Sequence, residues 1–298
     1  MPVWRSLLYV PANVEKYVDK AHTRGADCIQ IDLEDSVPAA EKDQARALVP
    51  AVAARVRRGG ADVVVRINRP LSVAVRDLEA AVGPDVNGIA VTKVQSAGHL
   101  KLLDELVGEL EAKRGLPEGH TRFIAMIETP GAFFRMAEIA GAVDRLAAMN
   151  IGGEDFALEN GMAPDEEMLQ MPKQQMVYAA RSAGLMPLGF IASVAEFGDW
   201  VAFRAMVRRS RKFGFMGAGC IHPRQVPIVN EEYTPAQDEV AYARRVVEAN
   251  ARAIAGGRGS FALDGKMIDA PVVARAERLL VRYAAIGARE AVMRARAG

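Results

Sequence analysis

Short apolar runs recur along the chain, and longer stretches of mixed polarity separate them. The runs fall at residues 6–11, 28–33, 62–68, 88–94, 123–127, 146–151, 187–191 and 215–222. Val63, Val64 and Val65 stand in sequence in the third run, and an unbroken β-branched run marks a strand buried on both faces, as in a parallel sheet. Capping and stop residues frame the stretches between. Asn13 can cap a helix that Gly25 ends, and Pro38 and Ala39 open one running to about residue 58. A helix is expected near 73–81, and Ser96 caps a long one to about 114. After the fifth run, apolar residues at Phe133, Met136, Ala137 and Ala140 follow a helical period. A further helix covers about 165–183 and stops at Gly184. Ser193 and Glu196 have the spacing of a capping box, opening a helix to about 212. Eight strands alternating with seven helical stretches predict an α/β fold of the (β/α)8 TIM barrel kind. An open doubly wound sheet is the alternative, but it lacks the glycine-rich first turn that usually supports it.

After Pro223 the pattern changes. Thr234, Pro235 and Ala236 open a helix to about 255, and a glycine-rich break follows at 256–260. Residues 261–269 read as a short hairpin, and a last helix runs to the end. The expected division is a catalytic barrel over 1–230 and a C-terminal helical extension over 231–298, placed to cover its own site or reach a neighbouring subunit. From Lys266 onward there are seven Lys/Arg and three Asp/Glu, an excess of four positives.

A chain of 298 residues that is half hydrophobic can fill one barrel core. Its net charge of +1 gives no bulk case for nucleic-acid or membrane binding. The two cysteines, Cys28 and Cys220, both lie in apolar runs, which fits a reducing compartment better than a disulfide framework. No N-terminal signal pattern is visible, and charges or glycines interrupt the long apolar runs, so a soluble cytoplasmic protein is expected.

In a barrel of this kind the C-terminal ends of the strands face the active site. That rule selects Glu34 and Asp35, Arg66 and Asn68, Lys93, Glu128, Asp155 and His222. Taken singly, each reads as well as a rim salt bridge; together on one face they are harder to dismiss. Glu128 and Asp155 close neighbouring runs, and two facing carboxylates without imidazole or thiol suit Mg²⁺ or Mn²⁺, with water and substrate oxygens completing the shell. Arg66 can grip a carboxylate or thioester oxygen with its fork, the alternative being to neutralise Asp32, Glu34 or Asp35. Glu34 and Asp35 can hold metal-bound water, and Gly152 and Gly153 let backbone approach a ligand closely. Asp269 sits among apolar neighbours, a setting that raises a carboxyl pKa for acid–base work, although the plainer reading is a helix N-cap. Arg5, Tyr9, Asn13 and Lys20 near the first run, with His222, are candidates for contact with a bulky cofactor-like part of the substrate.

The stretches RSLLYVPAN, GADCIQIDLEDSVP, VVVRIN, IAMIETPGA, NIGGEDF, GFMGAGCIHPRQ and DGKMIDAP resemble the citrate lyase β-subunit-like family within the HpcH/HpaI aldolases. The resemblance runs from about Arg5 to Pro271. It implies a Mg²⁺-dependent TIM barrel that makes or breaks a carbon–carbon bond in acyl-CoA thioesters. It assigns metal binding to Glu128 and Asp155, substrate binding to Arg66 and acid–base catalysis to Asp269. It further implies a homotrimer or hexamer in which the C-terminal segment closes over a neighbour's site, and it leaves open an acyl carrier protein as the bearer of the thioester. Two departures stand out. The usual Leu-Pro-Lys is Val91-Thr92-Lys93 here, and Ala218 stands where a lysine often follows the glycine. The activity expected is a lyase of the malyl-CoA or citramalyl-CoA type, with an aldolase acting on free 2-oxoacids as the nearest alternative.

Overall fold

The computed structural model describes residues 1–193 and 198–297. They form two compact units, the first Met1–Tyr233 with the chain's last residues from Arg296, the second Thr234–Ala295. In the first, eight strands run parallel: β1 (Ser6–Pro11), β2 (Cys28–Asp32), β3 (Asp62–Ile67), β4 (Gly88–Val91), β5 (Arg122–Ile127), β6 (Leu146–Ile151), β7 (Met186–Pro187) and β8 (Ala218–Cys220). Each pairs with its sequence neighbour up to β7, and β1 also pairs with β8. The last seam closes through a parallel bridge, Leu188 to Gly217, flanked by the Met216 N–H donating to Pro187 O at 2.9 Å and the Gly189 N–H donating to Gly217 O at 2.8 Å. The sheet therefore meets itself, and the architecture is a (β/α)8 TIM barrel, not an open sheet.

The β3 run shows why continuous apolar strands build this shape. Val63 and Val65 pack outward with the helices, while Val64 points into the barrel beside Leu7, Cys28, Ala90 and Ile124. All three valines are fully buried, each contributing roughly 1.5–3 kcal/mol by leaving water. The helices around the ring are α1 (Glu15–Ala21), α2 (Lys42–Val56), α3 (Leu71–Ala81), α4 (Ala97–Lys113), α5 (Pro130–Phe133), α6 (Met136–Ala140), α7 (Gly153–Asn160), α8 (Glu166–Ser182), α9 (Trp200–Phe213) and α10 (Gln225–Glu232). Ser96 caps α4 as expected, accepting the His99 N–H at 3.2 Å.

Several expectations are corrected. Asn13 does not cap α1, which begins after Val14; its amide donates to the Glu41 carboxylate. The helical stretch after Gly131 is two short helices, with Ile139 buried and Ala137 exposed. The run at 187–191 leaves the sheet after Pro187. Gly189 turns the chain at a φ of +142°, so Phe190 and Ile191 are buried without strand pairing. The capping box at Ser193–Glu196 falls partly on residues 194–197, outside the described residues; α9 is capped by Asp199, which accepts the N–H groups of Val201 and Ala202 at 2.9 and 3.0 Å. Helices α7 and α10 were not anticipated.

The second unit holds α11 (Gln237–Ala255), the hairpin of β9 (Phe261–Leu263) and β10 (Lys266–Ile268), and α12 (Ala270–Ala297). Asp264 and Gly265, at φ of +51° and +73°, make the two-residue turn for which Asp-Gly is favoured. Val246, Ile268, Val273 and Ala276 form its small core. Among the described residues no helix is long and apolar enough to cross a membrane.

Candidate active site

A cavity of about 820 Å³ opens at the C-terminal ends of the strands, and its walls bring together Tyr9, Arg66, Glu128, Asp155, Lys173 and His222. Tyr9 and Arg66 lie on strands, Glu128 and His222 follow β5 and β8, Asp155 is in the first turn of α7, and Lys173 comes from α8. Arg66 is the last residue but one of β3, in register with Asp32 on β2. Its Nε and Nη2 donate to the two Asp32 oxygens at 2.7 Å each, while Nη1 lies 2.8 Å from Glu34 and 3.2 Å from Asp35. The guanidinium also stands 5.1 Å over the Tyr9 ring, whose edge packs so closely on Gly219 that a Cβ there would approach within 2.8 Å. Burial opposes the Asp32 charge, but the Arg66 fork, Ser36 and the Glu34 N–H outweigh it and hold the carboxyl below its ordinary value. The Arg66 guanidinium is held firmly charged. Arg66 thus neutralises the β2 acids and lines the cavity at once.

Glu128 follows β5 directly and is 1 % exposed. Its Oε2 accepts the Lys93 backbone N–H at 2.6 Å. Its Oε1 lies where only a glycine at 152 leaves room, since a Cβ there would stand 2.5 Å away. Burial pushes the carboxyl up to about 7, with Lys93 pulling down and Asp155 pushing further up. Asp155 does not close a strand, as expected from sequence, but sits in the first turn of α7, where the helix dipole favours a carboxylate. Lys93 joins the acids: its Nζ lies 3.2 Å from Asp155 Oδ1 and 3.0 Å from Glu34 Oε1. It holds this place from a left-handed backbone, at φ +46°, a strained conformation for a lysine. Glu34 is buried between Arg66 and Lys93 and is not itself on the cavity wall. Burial raises its carboxyl despite those two cations.

Glu128 and Asp155 offer oxygen donors, the kind that a hard divalent ion takes. Among the described residues no group of three or more His, Cys, Asp or Glu side chains gathers into a fuller set. Mg²⁺ needs no more, since it keeps waters and takes substrate oxygens. The room left by Gly152 beside the Glu128 carboxylate, and the Asp155 carboxylate on the same cavity wall, fit these two residues as holders of such an ion.

Other expected residues land elsewhere. Arg5 is not a ligand contact. It is 2 % exposed and locked to Asp27 by a two-bond fork at 2.8 and 2.9 Å, away from the cavity wall. Lys20 is exposed and off the wall, although Lys16 and Arg24, one turn to either side, are on it. Tyr9 is in the cavity, but as the platform under Arg66. His222 is on the wall, its Nδ1 accepting the Arg224 N–H at 3.1 Å and its ring 5.8 Å from that of Trp200. Gly153 opens α7, and a Cβ there would lie 3.7 Å from Lys173 Nζ. Asp269, in the second unit, caps α12: its Oδ1 receives the Val272 N–H at 3.4 Å. That is the plainer of its two readings, and it leaves the acid–base role to experiment.

Lys173 was missed. It is 4 % exposed on α8, and its Nζ donates to Ala192 O at 3.0 Å. Burial pulls its pKa down to about 8, against the pull of Glu154 and Glu166. The signal was present, because Leu169, Lys173, Met176, Val177 and Ala180 share one buried helical face, and a lysine in an apolar stripe is an anomaly.

Comparison with known proteins gives the family. Residues 5–223 match the model of the HpcH/HpaI aldolase/citrate lyase family. The chain is 33% identical over 279 residues to the citrate lyase subunit beta of Leuconostoc mesenteroides subsp. cremoris, covering 93% of this chain and 92% of that protein. It is 31% identical over 303 residues to the L-malyl-CoA/beta-methylmalyl-CoA lyase of Cereibacter sphaeroides, covering 94% of each. Among solved structures, CitE from Mycobacterium tuberculosis, in complex with magnesium, acetoacetate and coenzyme A, superposes with a TM-score of 0.73 at 29% identity, covering 94% of this chain and 97% of that one. The family match and these relatives place the chain: it belongs to the HpcH/HpaI aldolase/citrate lyase family and is a carbon–carbon lyase.

Proposed function

We propose that this lyase cleaves or forms a 3-hydroxyacyl-CoA of the malyl-CoA or citramalyl-CoA type, giving an acyl-CoA and a 2-oxoacid with Mg²⁺ as cofactor. The observation that carries the reading is the gathering of Glu128, Asp155 and Arg66 around one cavity at the barrel's C-terminal face. The magnesium, acetoacetate and coenzyme A bound to the M. tuberculosis relative support both the cofactor and the substrate class. When bound, Mg²⁺ supplies Lewis acidity toward the hydroxyl and carboxylate oxygens of the oxoacid half. Glu128 and Asp155 would hold it. Arg66, kept charged and aimed by Asp32 and Tyr9, stabilises negative charge that develops on the thioester oxygen as the carbon–carbon bond breaks. Asp269 is assigned the proton at the α-carbon of the acyl half, on family resemblance. Glu34 fixes Arg66 and Lys93 and acts on the chemistry through them.

A second reading, cleavage of a thioester carried on an acyl carrier protein, is favoured by the citrate lyase subunit beta relatives. One assay separates the two. Purified protein is offered malyl-CoA, citramalyl-CoA and a carrier-protein thioester of citrate, with Mg²⁺ and with chelator, and oxoacid release is followed. Mg²⁺-dependent release from a CoA ester is expected. Release from the carrier thioester alone moves the protein to the second reading. Turnover of pyruvate and an aldehyde, with silence on all thioesters, sinks both in favour of an aldolase.

A further inference from the structure

One residue touches both carboxylates of the cation site. Lys93 binds Glu128 through its main-chain N–H, at 2.6 Å, and Asp155 through its ammonium, at 3.2 Å. The left-handed backbone at φ +46° is the local cost of pointing the N–H at one acid while the side chain reaches the other. The ammonium has a second anchor, Glu34 Oε1 at 3.0 Å. We propose that Lys93 is a positioning residue for Glu128 and a built-in competitor for the divalent ion, its ammonium standing beside Asp155 until the ion arrives and then resting on Glu34 alone. This inference rests on the reading of Glu128 and Asp155 as the ion's holders.

The physics is simple. A positive charge within hydrogen-bonding distance of a ligand oxygen repels an incoming dication and stabilises the empty site. Removing that charge leaves Asp155 without the ammonium at 3.2 Å and Glu34 without the one at 3.0 Å, which favours the ion. A merely structural lysine predicts the opposite, since its loss would slacken Asp155 and weaken binding. Competition of this kind keeps the ion exchangeable and lets substrate oxygens complete its shell.

The test is calorimetric titration of MgCl₂ into the full-length protein after chelator treatment, for wild type, Lys93→Met, Lys93→Arg, Lys93→Gly and Glu128→Gln. Lys93→Met is expected to bind Mg²⁺ about tenfold more tightly than wild type, and Lys93→Arg within about twofold of it. Lys93→Gly removes the ammonium while relieving the backbone, so it gives the same tightening if Lys93→Met fails to fold. Binding by both the Met and Gly variants that is equal to wild type or weaker overturns the competition while leaving the ion site standing. Wild type that binds no Mg²⁺, or Glu128→Gln that binds as wild type does, removes the ion site and the inference with it.

Discussion

The α-carbon of Gly152 faces Glu128 so closely that a single added methyl group would stand 2.5 Å from Oε1 and 2.7 Å from Cγ. Glu128 has little room to retreat, since it is 1 % exposed and bound at its other oxygen by Lys93. Gly152→Ala is therefore expected to swing the carboxylate out of place. Its backbone, at φ −72°, tolerates alanine, so the fold should survive. A fall of about 10²-fold in kcat/KM with weakened Mg²⁺ binding and a near-unchanged Tm is expected, because a displacement of this size costs catalysis more than stability. Unaltered kinetics would show that Glu128 does not hold the ion.

Glu128 also sets a pH dependence in the metal-free protein. Its carboxyl is raised from 4.5 to about 7 by burial, so the folded chain holds a proton that the unfolded chain releases between those values. Stability is favoured at the acid end of that window and falls as pH rises through it, by up to about 3 kcal/mol from this group. Glu128→Gln should abolish that part of the slope. Urea unfolding at pH 5 and pH 7.5 with chelator, for both proteins, reads the difference; parallel slopes would refute it.

Lys173 acts in the opposite window. Burial lowers its pKa from 10.5 to about 8, so between those values the unfolded chain binds a proton that the folded chain does not. Stability should rise with pH there. Measured against Lys173→Met, wild type is expected to gain up to about 3 kcal/mol between pH 8 and pH 10.5. A constant difference across that range would mean the ammonium is better solvated than its burial indicates.

Arg66→Lys keeps the charge and loses the fork. Asp32 then lacks one of two bonds now made at 2.7 Å, and Glu34 loses its partner at 2.8 Å. A kcat lower by about 10²–10³-fold is expected from misplaced charge stabilisation. Denaturant midpoints should fall too, since buried carboxylates are left underpaired, by about 1–3 kcal/mol. Wild-type kcat in this variant would reduce Arg66 to a neutraliser of Asp32.

The strands were legible because parallel barrel strands are buried on both faces, and Val63, Val64 and Val65 advertise that directly. Their ends were not. Phe190 and Ile191 are as apolar as strand residues yet lie in a buried loop, and an apolar run cannot distinguish the two. The helix carrying Asp155 was hidden because Gly152 and Gly153 read as a turn. Glu128 and Asp155 still line one cavity, since a strand end and the first turn of the next helix point at the same face. Arg5 misled because position near the first strand says nothing of which end a side chain serves, and Asp27 claims it at the other one. Lys93 was seen as a rim base; its double attachment depends on a backbone angle no pattern reveals.

The ring's seam divides the labour of the barrel. Arg66, Glu128 and the register that sets them belong to strands β2 to β6, whose ladders hold four or five residue pairs each, the β5–β6 ladder with a register shift between Phe123 and Ile124. The β7 and β8 side is stitched by a two-residue strand, a three-residue strand and one bridge, and it supplies Gly189, Phe190 and Gly219 to the cavity wall. The residues proposed for the chemistry thus stand on the longer ladders, and much of the cavity's remaining wall stands on the short ones. The two sides meet at Gly219, where a single added methyl group would press on Tyr9 and through it on Arg66.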